Sequence, residues 1–192
     1  MHLYPHCLIL RHGETAWNRE GRIQGERDSP LTALGRAQAA AQGRILAGLG
    51  TGSFDWIVSP QGRAQATARI AAGPGATLRT DARLAEISMG DWSGMLRAEL
   101  AAANPALFES EGLAWYDHAP GGEGLEALAR RTRALLDDLT GPAILVTHGI
   151  TSRMLRCHLQ GLPPEAFETV GGGQGVVYAL SGGAQRVLRE EA

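Results

Sequence analysis

Arg11-His12-Gly13-Glu14 follows directly on the apolar run Cys7-Leu8-Ile9-Leu10, and Thr147-His148-Gly149 follows on Ile144-Leu145-Val146. Each run reads as a buried strand, and each glycine as a sharp turn at its end. An arginine and two histidines are thereby set where strands stop. In open α/β sheets, ligands bind at that carboxyl edge. A guanidinium is a bidentate anion fork, and an imidazole is a nucleophile near neutral pH. The combination points to phosphoryl transfer through histidine.

Composition narrows the alternatives. A chain of 192 residues suits a single domain, 1–192, with a well-buried core. The formal net charge of -2 argues against nucleic acid as a partner and against a polybasic membrane surface. All 18 basic residues are arginine. Without lysine there is no P-loop lysine and no Schiff base, so an anion site must use arginine, histidine and backbone amides. Cys7 and Cys157 have no CxxC partner and read as small buried hydrophobes in a reducing compartment. The two His-Gly units lack metal-ligand spacing, so no metal is expected. The N-terminus has no basic region, and the apolar runs fall short of the roughly 18 residues a membrane helix needs. A cytoplasmic location is expected; oligomeric state is left open, a homodimer included.

The elements that must position these groups follow from periodicity. Residues 6–10 form a first strand, and Thr32 caps a helix to about Leu49. Asp55–Val58 is a second strand, with a helix from about Gln61 to Ala72 after it and a third strand at Thr77–Thr80. Residues 81–95 carry little periodicity and read as a functional loop. Short helices follow over 96–118, interrupted at Asn104-Pro105. Leu125 to Leu139 is an amphipathic helix. Strand 143–147, a helix from about Ile150 to Leu159, and a hairpin of 176–180 with 185–188 around Gly182-Gly183 complete the chain. The run Gly171-Gly172-Gly173-Gln174-Gly175 is a loop in the wrong place for a dinucleotide fingerprint. The alternation predicts an α/β fold with helices on both sheet faces.

Further segments accompany the two strand ends. These are Arg11 to Asn18, Gly21-Arg22-Ile23-Gln24-Gly25, Asp28-Ser29-Pro30-Leu31-Thr32 and Gly35, then Ser59-Pro60-Gln61-Gly62-Arg63-Ala64 with Thr67-Ala68. Leu84-Ala85-Glu86, Gly90-Asp91-Trp92-Ser93-Gly94, Gly121-Gly122-Glu123 and Val146-Thr147-His148-Gly149 come after them. In order and spacing the set resembles the histidine phosphatase superfamily, also called the phosphoglycerate mutase-like family, over most of the chain. The resemblance implies a three-layer α/β/α sandwich with a mixed, mainly parallel sheet. It implies His12 as the nucleophile that becomes phosphohistidine and Arg11 and Arg63 as phosphate-binding arginines. His148 would donate a hydrogen bond to the transferring group. Asn18, Gln24 and Gly149 would line the phosphate pocket. Glu86 would be the general acid and later the base for water. No cofactor is implied.

Neighbouring residues have plainer roles. Glu14 and Thr15 are expected to shape the nucleophile loop, and Trp17 and Trp92 to pack the walls of the site. His2, His6, His118 and His158 are expected to do no chemistry, with His118 the one whose loop could reach the pocket mouth.

The resembled family holds both phosphatases and mutases, and its mutases carry a basic insertion that grips a second acidic group. Here Met95 to Pro120 is short, offers only Arg97 as a cation near neutral pH, and carries Glu99, Glu109, Glu111 and Asp117. A strongly anionic substrate would be repelled. The expectation is a phosphomonoesterase of the histidine acid phosphatase type, with a small phosphorylated substrate. Mutase-type transfer and a protein phosphohistidine phosphatase are the alternatives. Two departures stand out: Val170 to Gly175 replaces an asparagine-containing segment, and Gly124 stands where many relatives have serine, at the possible loss of a hydrogen bond.

Overall fold

The computed structural model describes residues 4–109 and 112–190, so His2 and Glu111 lie outside it. Strand β1 (Cys7–Arg11) is buried on both faces, which is why it reads as a continuous apolar run. Cys7 and Ile9 point into one core and Leu8 and Leu10 into another. Strand β4 (Ala143–Thr147) divides likewise, with Leu145 on the first side and Ile144 and Val146 on the second.

Four further strands complete a six-stranded sheet: β2 (Asp55–Val58), β3 (Leu78–Thr80), β5 (Val177–Ser181) and β6 (Ala184–Leu188), in the order β3-β2-β4-β1-β5-β6. The pairs β3–β2, β2–β4 and β4–β1 are parallel; β1–β5 and β5–β6 are antiparallel. This is the expected mixed, mainly parallel sheet. Helices α2 (Ala33–Ala47) and α3 (Gly62–Ala72) cover one face, where Leu46, Ala64 and Ala68 pack on Leu8, Leu10 and Val58. Helices α6 (Leu125–Asp137) and α7 (Gly149–Gln160) cover the other, where Leu135, Leu136, Leu155 and Leu159 meet Cys7, Ile9 and Ile57.

A third cluster lies beneath the segment joining β3 to α6. Ile87, Met89, Trp92, Leu100 and Trp115 pack there on Leu128, Ile150 and Met154. The segment holds 3-10 turns at Ala82–Leu84, Gly90–Trp92 and Ala114–His118, and the short helices α4 (Arg97–Ala103) and α5 (Pro105–Phe108). Gly124 starts α6 without a side-chain cap, and Asp117 replaces that cap by accepting from Leu125 N at 2.7 Å.

The first helix was not expected. Helix α1 (Ala16–Glu20) has no buried residue, so it leaves no apolar stripe to read. It is held by a capping box in which Thr15 Oγ1 accepts from Asn18 N and Asn18 Oδ1 accepts from Thr15 N, each at 3.2 Å. Among the described residues no helix is long and apolar enough to cross a membrane.

Candidate active site

Three parallel strands deliver their carboxyl ends to one place. The His12 amide donates to the Thr147 carbonyl at 2.9 Å, and the Ser59 amide to Val146 at 2.9 Å. The loop after β1 can turn there because two glycine backbones touch. A Cβ on Gly13 would stand 2.1 Å from the oxygen of Gly35, and one on Gly35 would stand 2.0 Å from that of Glu14. Gln42, fully buried on α2, donates through Nε2 to the carbonyls of Arg11 and Val176, both at 3.0 Å. Glu14 has the expected structural part: its carboxylate accepts from Thr32, the cap of α2, at 2.6 Å.

His12 is 2% exposed, and its Nδ1 lies 2.8 Å from the carbonyl of Gly13. A carbonyl only accepts, so Nδ1 carries the proton and Nε2 keeps its lone pair. Burial, then the charges of Arg11 and Arg63, holds this imidazole well below the ordinary histidine pKa. It is neutral at physiological pH, as a nucleophile must be.

The two arginines are used differently. Arg63 donates through Nε to His148 Nδ1 (3.1 Å), through Nη1 to Asp28 Oδ1 (2.8 Å) and the Arg27 carbonyl (2.5 Å), and through Nη2 to the Gly25 carbonyl (2.9 Å). Four of its five N–H groups are therefore committed to protein acceptors. Asp28 also receives the amides of Gly62 and Arg63 at the start of α3. Arg11 is the opposite case: its Nε is buried and has no acceptor. A Cβ on Gly149 would lie 3.5 Å from both Arg11 Cζ and Glu86 Oε2, so guanidinium and carboxylate flank that glycine.

Glu86 is seated on the first turn of α7. Oε2 accepts from Ile150 N at 3.2 Å, and Oε1 from the amides of Thr151 at 3.0 Å and Ile87 at 3.1 Å. Thr151 Oγ1 is also 3.0 Å from Oε1 and donates to the Ala85 carbonyl at 2.7 Å. Thr151 lies three positions past His148; only the fold showed its contact with Glu86.

A cavity of about 260 Å³ opens over these groups. Arg11, His12, Asn18, Gln24, Arg63, Glu86 and Gly149 line it, as the sequence led us to expect. His148 does not. It is fully buried behind the cavity, its ring centroid 5.1 Å from that of His12. Because Arg63 can only donate, His148 Nδ1 accepts and Nε2–H points to Ser59 Oγ at 2.7 Å.

The walls also differ from expectation. Trp115 and Tyr116 line the cavity, whereas Trp92 lies in the cluster beneath and Trp17 packs toward Gly94. Burial, then the charge of Glu86, pushes the Tyr116 hydroxyl up to about 12, so it stays a donor. His118 is exposed and does not line the cavity. His6 meets the edge of Phe54, and His158 is buried on the Ala129 carbonyl at 3.1 Å. Glu99, Glu109 and Asp117 do not line the cavity, but Arg22 and Arg97 do. Glu111, the remaining acidic residue of that segment, lies outside the described residues.

The model of the histidine phosphatase superfamily (branch 1) matches residues 7–188. The chain belongs to that superfamily. Among superfamily relatives, it is 38% identical over 170 residues to the probable phosphoglycerate mutase GpmB of Yersinia enterocolitica, covering 83% of this chain and 76% of that protein. It is 34% identical over 183 residues to the glucosyl-3-phosphoglycerate phosphatase of Mycolicibacterium vanbaalenii, covering 86% and 78%. Among histidine phosphatase structures, the mycobacterial glucosyl-3-phosphoglycerate phosphatase complexed with VO3 superposes with a TM-score of 0.81 at 32% identity, covering 97% of each chain. A putative alpha-ribazole-5'-P phosphatase from Escherichia coli superposes with a TM-score of 0.81 at 28% identity, covering 98% of each.

Proposed function

We propose that the protein hydrolyses phosphomonoesters of small phosphorylated metabolites through a phosphohistidine on His12. One observation carries this: the unpaired Arg11 guanidinium, buried at Nε beside a neutral nucleophile, in a cavity sized for a small ester. A buried guanidinium N–H without an acceptor is costly, and a phosphoryl dianion supplies the acceptor.

The chemistry is derived from these positions. Nε2 of His12 attacks phosphorus; the N–P bond forms as the P–O bond to the leaving group breaks. Charge grows on the equatorial oxygens, where Arg11, the remaining N–H of Arg63 and the amides of Asn18 and Gln24 meet it. A proton on Glu86 goes to the departing alkoxide. In the second half, ionised Glu86 takes a proton from water, which attacks phosphorus and returns His12 with its lone pair. The geometry supports His148 as a support for Arg63 more directly than as a donor to phosphate. Relatives named as phosphatases support the hydrolytic outcome.

Rapid quench of a ³²P-labelled ester reaction into alkaline detergent, with part of the protein then exposed to acid, tests the intermediate. Label resistant to base and labile to acid is expected on wild type and absent on His12→Ala. Turnover without such label would overturn the covalent route.

A second reading has its own observation. Arg97 lines the cavity, has no carboxylate partner among the described residues, and sits 5.3 Å over Phe108 and 5.8 Å over Trp115. That cation could hold a second acidic group of a substrate, as mutase-type transfer requires. Incubation of 3-phosphoglycerate with bisphosphoglycerate decides: 2-phosphoglycerate without matching free phosphate would favour the mutase.

A further inference from the structure

Gln174 stands in the glycine run 171–175, and the reaction proposed above assigns it nothing. Its Nε2 donates to the main-chain oxygen of His12 at 3.0 Å and to Asn18 Oδ1 at 3.3 Å. A main-chain oxygen only accepts, so the Gln174 amide is fixed with its nitrogen toward the nucleophile loop. Asn18 Oδ1 receives a second donor, the Thr15 amide, at 3.2 Å. With two donors on that oxygen, the Asn18 amide cannot turn over without losing both bonds. Its Nδ2 is left to the cavity that Asn18 lines.

The loop that carries Gln174 is itself anchored. Arg156 Nη2 donates to the Gly171 carbonyl at 2.6 Å. Gly175, at φ +73°, lets the chain pass against Gln38, where a Cβ would sit 3.1 Å from Cγ. Gln38 in turn accepts from the Glu14 amide at 2.8 Å. The glycines bring an amide to the nucleophile across 162 residues of sequence.

We infer that Gln174 is a positioning residue: it locks Asn18 with both amide hydrogens aimed at the phosphoryl group. Thr15 alone leaves the Asn18 amide one anchor; the second makes a preorganised donor, the kind that acts on a transition state without reorganising. The inference rests on the phosphoryl-transfer reading, which places the anion in this cavity.

A double-mutant cycle on the full chain tests it, with Asn18→Ala combined with Gln174→Met and, as a second choice of side chain, Gln174→Ala. Two quantities are read: kcat/KM for p-nitrophenyl phosphate and the dissociation constant of orthovanadate, with thermal unfolding alongside. Asn18→Ala should weaken both by about 10²-fold, the loss typical of one oxyanion donor. Gln174→Met should weaken both about five- to tenfold, as for one neutral hydrogen bond. In the Asn18→Ala background the Gln174 effect should shrink to below about twofold, because the two residues act as one unit. Additive losses in both Gln174 variants would overturn the inference, since a merely structural loop residue gives them. Vanadate binding with coupled losses but no ester hydrolysis would uphold the inference and sink the proposed reaction. Hydrolysis with additive losses would sink the inference alone.

Discussion

Nε of Arg63 donates to Nδ1 of His148 at 3.1 Å, and that bond fixes where the proton of a fully buried imidazole lies. The proton must sit on Nε2, 2.7 Å from Ser59 Oγ. His148 thus links the strand end at Ser59 to the guanidinium and sets the angle at which Arg63 meets the cavity. To donate to a phosphoryl oxygen, its Nε2–H would have to leave Ser59, or Arg63 would have to release Nδ1 for a second proton.

Ser59→Ala removes the acceptor of that Nε2–H and leaves a buried donor unsatisfied. A loss of about 1–3 kcal/mol in unfolding free energy is expected. Urea denaturation measures it; an unchanged midpoint would show that Ser59 is not the partner.

Arg11→Lys keeps the charge and discards the planar fork. Since Arg11 has no structural bond at Nε to lose, the fold should stand. The transition state loses a bidentate partner, and kcat/KM should fall about 10²–10³-fold with little change in thermal midpoint. Retention of activity would mean that point charge alone suffices.

Acid should unfold the protein in a defined window. His12, His148 and His158 all have depressed pKa values, first through burial and then through neighbouring arginines or, for His148, also His12. The unfolded chain binds protons at these positions near 6.5 and the native state resists them, so stability holds above that pH and falls as pH drops below it. His158, away from the cavity, separates the causes. His158→Gln should flatten the slope of unfolding free energy against pH below about 6.5 and leave the pH dependence of kcat/KM alone.

Gly13→Ala and Gly35→Ala each force a methyl group against main chain, at 2.1 and 2.0 Å. Neither neighbour is a flexible side-chain tip, so either change should cost roughly 3 kcal/mol or more, read from denaturant midpoints. A neutral result would mean that the α2–loop contact gives way easily.

Chelation should leave turnover unaffected. Among the described residues no group of three histidine, cysteine or acidic side chains is placed to hold a metal ion. Loss of activity in EDTA, restored by a divalent cation, would contradict this.

What the sequence made legible and what it did not follow a physical division. β1, β4 and α6 announce themselves because burial on one or both faces leaves a repeating apolar pattern, whereas α2 is marked by its Thr32 cap while Leu34 and Leu49 of its expected apolar stripe are exposed. Arg11, His12, Arg63, Glu86 and His148 come together as their motifs required, all but His148 at the cavity surface. α1 left no trace, since a polar capping box holds it. The commitment of Arg63 to Asp28, Gly25 and His148, and the place of the His148 proton, depend on partners up to 85 residues away. Trp92 and Trp115 are both buried large aromatics, and nothing in their spacing tells which one faces the substrate. Gln174 lay hidden in a run of glycines.

β5 runs against β1, with Val177 beside Leu10 and Leu180 beside Cys7. The leading end of this strand, rather than its trailing end, therefore abuts the nucleophile. Gln174, in the connection between α7 and β5, reaches the His12 carbonyl and Asn18 from just ahead of that end. A change in the length of that connection therefore acts on the nucleophile loop through that side-chain amide.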